Sequence, residues 1–146
     1  MKEFRGRGVV PGRATAPALV TAHALNLTAS FSKPPNLIRR LSGVIQDRLH
    51  ELYKQDVAGR VLVFPQCIGS TYTGMVLLEV IRRGRGPAAL VVQNADSLLA
   101  SGVILAEVWL EKKVPLVEIP SAEILTEIKT GQTVEVDGGQ GLVRVM

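Results

Sequence analysis

Apolar residues in this chain come in short blocks separated by polar or glycine-bearing turns, and the blocks follow a repeating order. Arg60 to Phe64 (RVLVF) is an apolar run closed by Pro65, the pattern of a strand buried on both faces. Tyr72 to Arg83 then carries apolar residues at helix-compatible spacing, and Gly84 ends the run. The unit recurs with Ala88 to Val92 (AALVV) as strand, Asp96 as N-cap and Ser97 to Leu110 as helix, with Leu99, Val103 and Ala106 on one side. A third unit has Val114 to Ile119 as strand and Ala122 to Thr130 as helix, stopped by Gly131. Alternating strands and helices imply a parallel sheet.

The two ends read differently. Residues 15–22 (TAPALVTA) form a strand in this reading, and 43–46 (GVIQ), beyond the Pro34-Pro35 break, a short strand or extended piece. The last stretch, TVEVDGGQGLVRV, alternates apolar and polar residues around a glycine-rich turn, which predicts a hairpin or paired strands. Residues 37–53 resemble one amphipathic helix, but Gly43 and the Val44-Ile45 pair oppose it; Asp47 to Lys54 alone would make a helical turn or two. The fold class expected is therefore α/β: a parallel core sheet with helices, plus a β-rich layer from the N-terminal third and the C-terminal hairpin. No repeat, low-complexity tract or linker divides the chain, so 1–146 is expected to form one domain.

Composition narrows the function. With 47% hydrophobic and 21% charged residues, 146 residues can bury a continuous core without metals or disulfides. No apolar run reaches the roughly 18 residues of a membrane span, and no signal peptide is visible, so the expected location is the cytoplasm. The net charge of +4 is spread over scattered arginines and lysines, with only 4% aromatic residues to stack on bases, so neither nucleic acid nor a membrane is an expected partner. One cysteine, Cys67, makes no internal disulfide and holds no metal cluster by itself, so no metal site is expected in this chain.

The stretch VLVFPQCIGSTYTG (61–74) carries the candidate chemistry. If Val61 to Phe64 is a core strand and a helix starts near Tyr72, then Gly69-Ser70-Thr71 lies at the carboxyl edge of a parallel strand, where α/β sheets bind ligands. The first amides of the helix are unpaired there and attract anions. Ser70 adds a hydroxyl to that field. A serine so placed is equally an ordinary helix cap, and the loop alone does not separate the two readings.

The segments GRVLVFP, GST, VLLEVIRRGRGPAALVV, ADSLLASGVILAE and KKVPLVEI, with GRGVVPGRATAPALV before them, closely resemble the swivel domain of the aconitase X family. The resemblance covers nearly the whole chain. It implies a three-layer swivelling β/β/α fold and the role of a small subunit in a hydro-lyase. The substrate would be a hydroxy acid of the 5-phosphomevalonate or cis-3-hydroxy-L-proline class. It implies a large-subunit partner that holds an iron–sulfur cluster or metal, with Ser70 completing the site as the catalytic serine. Dehydration beside a carboxylate needs a base for the proton and a Lewis acid for the hydroxyl. Ser70, activated by the helix terminus and nearby cations, would be the base. Gly69 would allow close backbone approach to the substrate, and the Thr71 hydroxyl would bond its carboxylate.

The family's loop has the form GxGSxxGS, whereas this chain has Cys67-Ile68-Gly69-Ser70-Thr71-Tyr72-Thr73-Gly74. Ser30-Phe31 is followed by Ser32-Lys33-Pro34 in place of a glycine pair. These departures imply a reshaped pocket. Cys67 near a strand end reads as a small core residue rather than a ligand to the partner's metal. His23 and His50 have no metal-ligand spacing and read as surface or hydrogen-bonded histidines. Arg82, Arg83 and Arg85 suit the helix dipole or a partner, and Trp109 reads as a core or interface anchor. Two other functions share the layout: a phosphohistidine-type phosphoryl carrier, suggested by Asp137-Gly138-Gly139, and a noncatalytic interaction module. A carrier would need its histidine in a glycine-rich loop that opens a helix, and neither His23 nor His50 is in one.

Overall fold

The computed structural model describes residues 2–32 and 42–146. Its strands are β1 (Lys2–Arg5), β2 (Arg7–Val10), β3 (Arg13–Val20), β4 (Val61–Phe64), β5 (Ala89–Val92), β6 (Leu116–Glu118), β7 (Thr133–Asp137) and β8 (Leu142–Val145). The described helices are α1 (Leu27–Phe31), α2 (Thr73–Arg82), α3 (Ser97–Leu110) and α4 (Glu123–Glu127). No helix among the described residues is long and apolar enough to cross a membrane.

The strand order is β1-β8-β7-β3-β4-β5-β6-β2. Strand β3 serves two layers. Arg13 to Pro17 pairs antiparallel with β7, while Ala18 to Val20 pairs parallel with β4. From there β4, β5 and β6 run parallel, and β2 closes that edge antiparallel to β6. At the other end, β1 pairs antiparallel with β8 of the C-terminal hairpin. Gly6 joins β1 to β2 and donates to the Gly141 carbonyl at 2.8 Å, so the N-terminal ribbon links both sheets.

Alternation along the central strands divides the core in two. Val61, Val63, Ala89, Val91 and Val117 point into a sheet-on-sheet core with Phe4, Val134, Val136, Val143 and Val145. Their neighbours Leu62, Phe64, Leu90, Val92 and Leu116 point the other way, into a sheet-on-helix core with Leu77, Val80, Leu99, Val103 and Ala106. The result is a three-layer β/β/α fold. Every residue of β4 and β5 is buried, which is why these strands read as continuous apolar runs.

Helix α3 spans Ser97–Leu110, and the Asp96 side chain accepts from the Leu99 amide at 2.8 Å, as the sequence predicts. The hairpin and β4 to β6 also lie where they are predicted, and the strand expected over 15–22 is β3. Three expectations need correction. The helix expected over 122–130 ends at Glu127, because Ile128 turns extended and is buried between the sheets. Asp47 to Lys54 forms turns rather than a helix: Asp47 Oδ1 accepts from the Leu49 amide and His50 Nδ1 from the Leu52 amide, each at 3.0 Å, diverting backbone donors from a helical ladder. Residues 43–46 contribute only an isolated bridge between Val44 and Asp56. The Pro34-Pro35 break, Lys33 and residues 37–41 lie outside the described residues.

Candidate functional site

The chain beyond β4 continues its pairing for a few residues. Leu25 donates to the Gln66 carbonyl at 3.0 Å and Ile68 donates back to the Leu25 carbonyl at 2.9 Å, extending the β3–β4 alignment past both strands. Gly69 follows with φ +94°, a left-handed conformation that favours glycine. A Cβ there would stand 2.5 Å from Asn26 Nδ2, so the Asn26 side chain rests directly on this backbone. The same Asn26 caps α1, its Oδ1 accepting from the Ala29 amide at 3.0 Å.

Ser70 comes next, half-buried, at the carboxyl edge of the parallel sheet and three residues ahead of α2. Its Oγ accepts from the Tyr72 amide at 2.9 Å, and its carbonyl accepts from the buried Thr73 hydroxyl at 2.8 Å. Tyr72 holds the N-cap position without a side-chain cap bond, so α2 presents its partly positive end toward the loop. Thr71 is exposed beside it. Gly69, Ser70 and Thr71 are thus brought together at one sheet edge. The partners of Ser70 are a backbone amide and a threonine hydroxyl; the nearby cations expected from the sequence are not among them.

An open cleft of about 760 Å³ adjoins the loop, with Asn26 and Ile68 in its wall. Its wall also carries His23, His50 and Glu51, which form one polar group with Thr21. The Thr21 hydroxyl donates to Glu51, and His23 Nε2 lies 3.8 Å from Glu51 Oε2. The Thr21 hydroxyl first, then His23, hold the Glu51 carboxyl below its usual range against the opposing effect of burial. His50 Nδ1 accepts from the Leu52 amide, leaving Nε2 to face the His23 carbonyl at 3.4 Å; the two rings meet edge to face, 6.2 Å apart. His23 lies on the surface and His50 is hydrogen-bonded, as expected, but the two line the same cleft. They lie 27 residues apart, and no local pattern signals their meeting.

Cys67 is half-buried, and burial first, with the Asp96 charge second, pushes its thiol up to about 12. It is therefore a thiol at neutral pH, whereas metals take the thiolate. Among the described residues no three His, Cys, Asp or Glu side chains are grouped to hold a metal ion. An iron–sulfur cluster requires several thiolates, so the donors of this chain do not fit one. Arg82 and Arg83 bond to Glu79 at 2.6 to 2.8 Å, holding its carboxyl down at about 2. They sit at the far end of α2, about 15 Å along the helix from the loop. Trp109 is 66% exposed, which removes the core half of its expected role.

A β/β/α frame with its glycine–serine loop at the carboxyl edge of the parallel layer defines a swivelling-type domain. The family model for the aconitase X swivel domain matches residues 3–145, and the chain belongs to that family. The chain is 30% identical to the phosphomevalonate dehydratase small subunit of Methanocella arvoryzae over 98% of both sequences. It is 31% identical to the protein of the same name from Archaeoglobus fulgidus, covering 99% of this chain and 98% of the relative. Among solved structures it superposes on the crystal structure of Thermococcus kodakaraensis aconitase X (holo-form) with a TM-score of 0.84 at 26% identity, covering 100% of this chain and 99% of that one. The solution structure of a UPF0107 protein matches with a TM-score of 0.82 at 30% identity, each chain covered to 99%.

Proposed function

We propose that this chain is the small subunit of a phosphomevalonate dehydratase and that Ser70 is the base of a site shared with a larger, aconitase X type subunit. The carrying observation is the end-to-end similarity to curated small subunits that all bear that name. It favours phosphomevalonate over cis-3-hydroxy-L-proline as substrate, and a dehydratase over a phosphoryl carrier. The half-buried Ser70 hydroxyl at the head of α2 supports the second part.

In this reading Ser70 Oγ, as alkoxide, takes a proton from the carbon beside the substrate carboxylate. The C–H electron pair becomes the new double bond as the C–O bond to the β-hydroxyl breaks with its electron pair on oxygen. The departing hydroxide takes up a proton to leave as water, and Ser70 gives up the proton it took, which restores the alkoxide. The Tyr72 amide, already donating to Oγ, stabilises negative charge on that oxygen, and the α2 terminus adds to the same field. Gly69 lets the substrate approach the backbone, and the exposed Thr71 hydroxyl bonds the carboxylate. In this reading the metal or iron–sulfur centre is supplied by the larger subunit, since the single cysteine of this chain falls short of the several thiolates a cluster takes.

Ser70→Ala in the reconstituted complex tests the assignment. Removing a positioned base lowers turnover by roughly 10²- to 10⁴-fold. Loss of a loop hydrogen bond alone leaves turnover near normal and costs about 0.5 to 2 kcal/mol of stability. Metal content is measured in the same samples. A Ser70→Ala complex with full metal and near-normal turnover would reduce Ser70 to a structural residue. Thr71→Ala should mainly raise KM.

A further inference from the structure

Exposed large hydrophobic side chains are not scattered over this molecule. Among the described residues there are nine, and seven of them lie on the Ser70 loop, α2 or α3. Helix α3 shows why this is unusual. At 100° per residue its buried positions, Leu99, Gly102, Val103 and Ala106, form one side. Ile104 and Val108, four residues apart, fall on the opposite side and are 45% and 67% exposed. Leu98 and Trp109, three turns apart, fall on the flank toward α2. A surface helix normally turns charged and polar residues outward, whereas a helix apolar on all sides is a buried one.

The position of α2 makes the apolar area continuous with the loop. Gly74 and Gly102 are in backbone contact: a Cβ on Gly74 would lie 2.7 Å from the Leu98 carbonyl, and one on Gly102 would lie 2.6 Å from the Gly74 carbonyl. At the other end Lys112 Nζ donates to the Ile81 and Arg82 carbonyls at 3.3 and 3.1 Å, so the two helices run side by side in the same direction. Met75, 68% exposed, therefore stands beside Leu98 a few residues from Ser70, and the band runs on to Trp109.

We propose that this outward face of α2 and α3, from Met75 to Trp109, is the surface on which the larger dehydratase subunit sits. The inference rests on the small-subunit reading, which requires a partner covering the Ser70 loop; the first turn of α2, with Met75, follows that loop directly, and Gly74 in the same turn packs on the Leu98 carbonyl. Helix α3 is about 21 Å long, and two adjacent helices present a face of about 400 Å² in projection. A standard interface takes about 800 Å² per partner, so the helix face and the loop together approach one interface. Trp109 and Met75 are residue types enriched at such contacts. At the end near Trp109, Arg82 and Arg83 are already paired with Glu79 and Lys112 bonds the α2 carbonyls, so the matching partner surface is chiefly apolar.

The test titrates the full chain with the larger subunit from the same source. Trp109→Glu and Ile104→Lys should each weaken binding at least about ten-fold, while Met146→Glu, another exposed hydrophobic, should not. Unchanged circular dichroism of each isolated variant shows that folding is intact. A readout without substitution uses the sole tryptophan: chain labelled with 5-fluorotryptophan should shift its single fluorine resonance when the unlabelled larger subunit is added. A wild-type chain that does not bind the larger subunit overturns this inference together with the small-subunit reading. Normal binding by wild type and by both variants, with an unshifted fluorine resonance, overturns this inference alone. An isolated chain that is dimeric, with the dimer split by these substitutions and subunit binding unaffected, assigns the face to a second copy and also overturns it.

Discussion

Position 69 admits glycine for two reasons that add. Its φ of +94° strains any L side chain, and a Cβ would press on the Asn26 amide at 2.5 Å. Gly69→Ala should lower stability by about 1 to 3 kcal/mol in urea unfolding and displace the neighbouring Ser70. Asn26→Ala removes the contact but also the α1 cap, and so destabilises by itself. What it should change is the cost of Gly69→Ala, which falls in the Asn26→Ala background but does not vanish, because the strained φ remains. Cys67 gives a sharper expectation. With its thiol near 12, it should react slowly with iodoacetamide in the native chain and quickly in urea. Cys67→Ala should leave the metal content of the reconstituted enzyme unchanged, and loss of metal would make it a ligand. For Glu79 the sign is set by a folded value near 2, below the ordinary 4.5. The fold gains from its ionisation above about 4.5, and the gain is lost as pH falls toward 2. Its side chain is 38% exposed, so the effect has the small size of a surface pair. The stability difference between wild type and Glu79→Gln should be present at pH 6 and shrink by pH 3.

At the scale of elements, the crossing of α2 and α3 connects packing to the site. Gly→Ala inside a helix ordinarily stabilises by about 1 kcal/mol through propensity. At Gly102 the added Cβ would meet the Gly74 carbonyl at 2.6 Å and its Cα at 2.9 Å, backbone atoms that cannot rotate away. Overpacking costs about 1 to 3 kcal/mol, so the clash wins. Gly102→Ala should lower the melting temperature and, because Gly74 is four residues after Ser70, lower turnover as well. A higher melting temperature would show that propensity dominates. The elements legible in the sequence are those whose burial is complete or cleanly one-sided: β4, β5, α3 with its Asp96 cap, and the hairpin. Helix α1 has five residues and depends on the Asn26 cap, too short for a periodic signal. Strands β1 and β2 were also hidden, since each buries one residue, Phe4 or Val10, and is held by pairing with distant β8 and β6.

The whole molecule is two sheets sharing β3, tied by the N-terminal ribbon and covered on one face by helices, with the loop of Ser70 at the edge. The sequence placed Gly69, Ser70 and Thr71 at that edge correctly, because strand, loop and helix are contiguous there. It did not show the cleft beside them, because Thr21, His23, His50 and Glu51 meet only through the tertiary fold. Nor did it show that Trp109 faces solvent, since the apolar pattern of α3 is the same whether its second face meets a core or a partner. In the function proposed above, this chain completes a dehydratase site that it does not itself contain. The most direct measurement follows the alkene product of phosphomevalonate with the purified chain alone, with the larger subunit alone, and with the two combined. Product from the combination only, dependent on the ratio of the two chains, is the predicted result. Full turnover by either chain alone, or none from a metal-replete pair, would contradict the account.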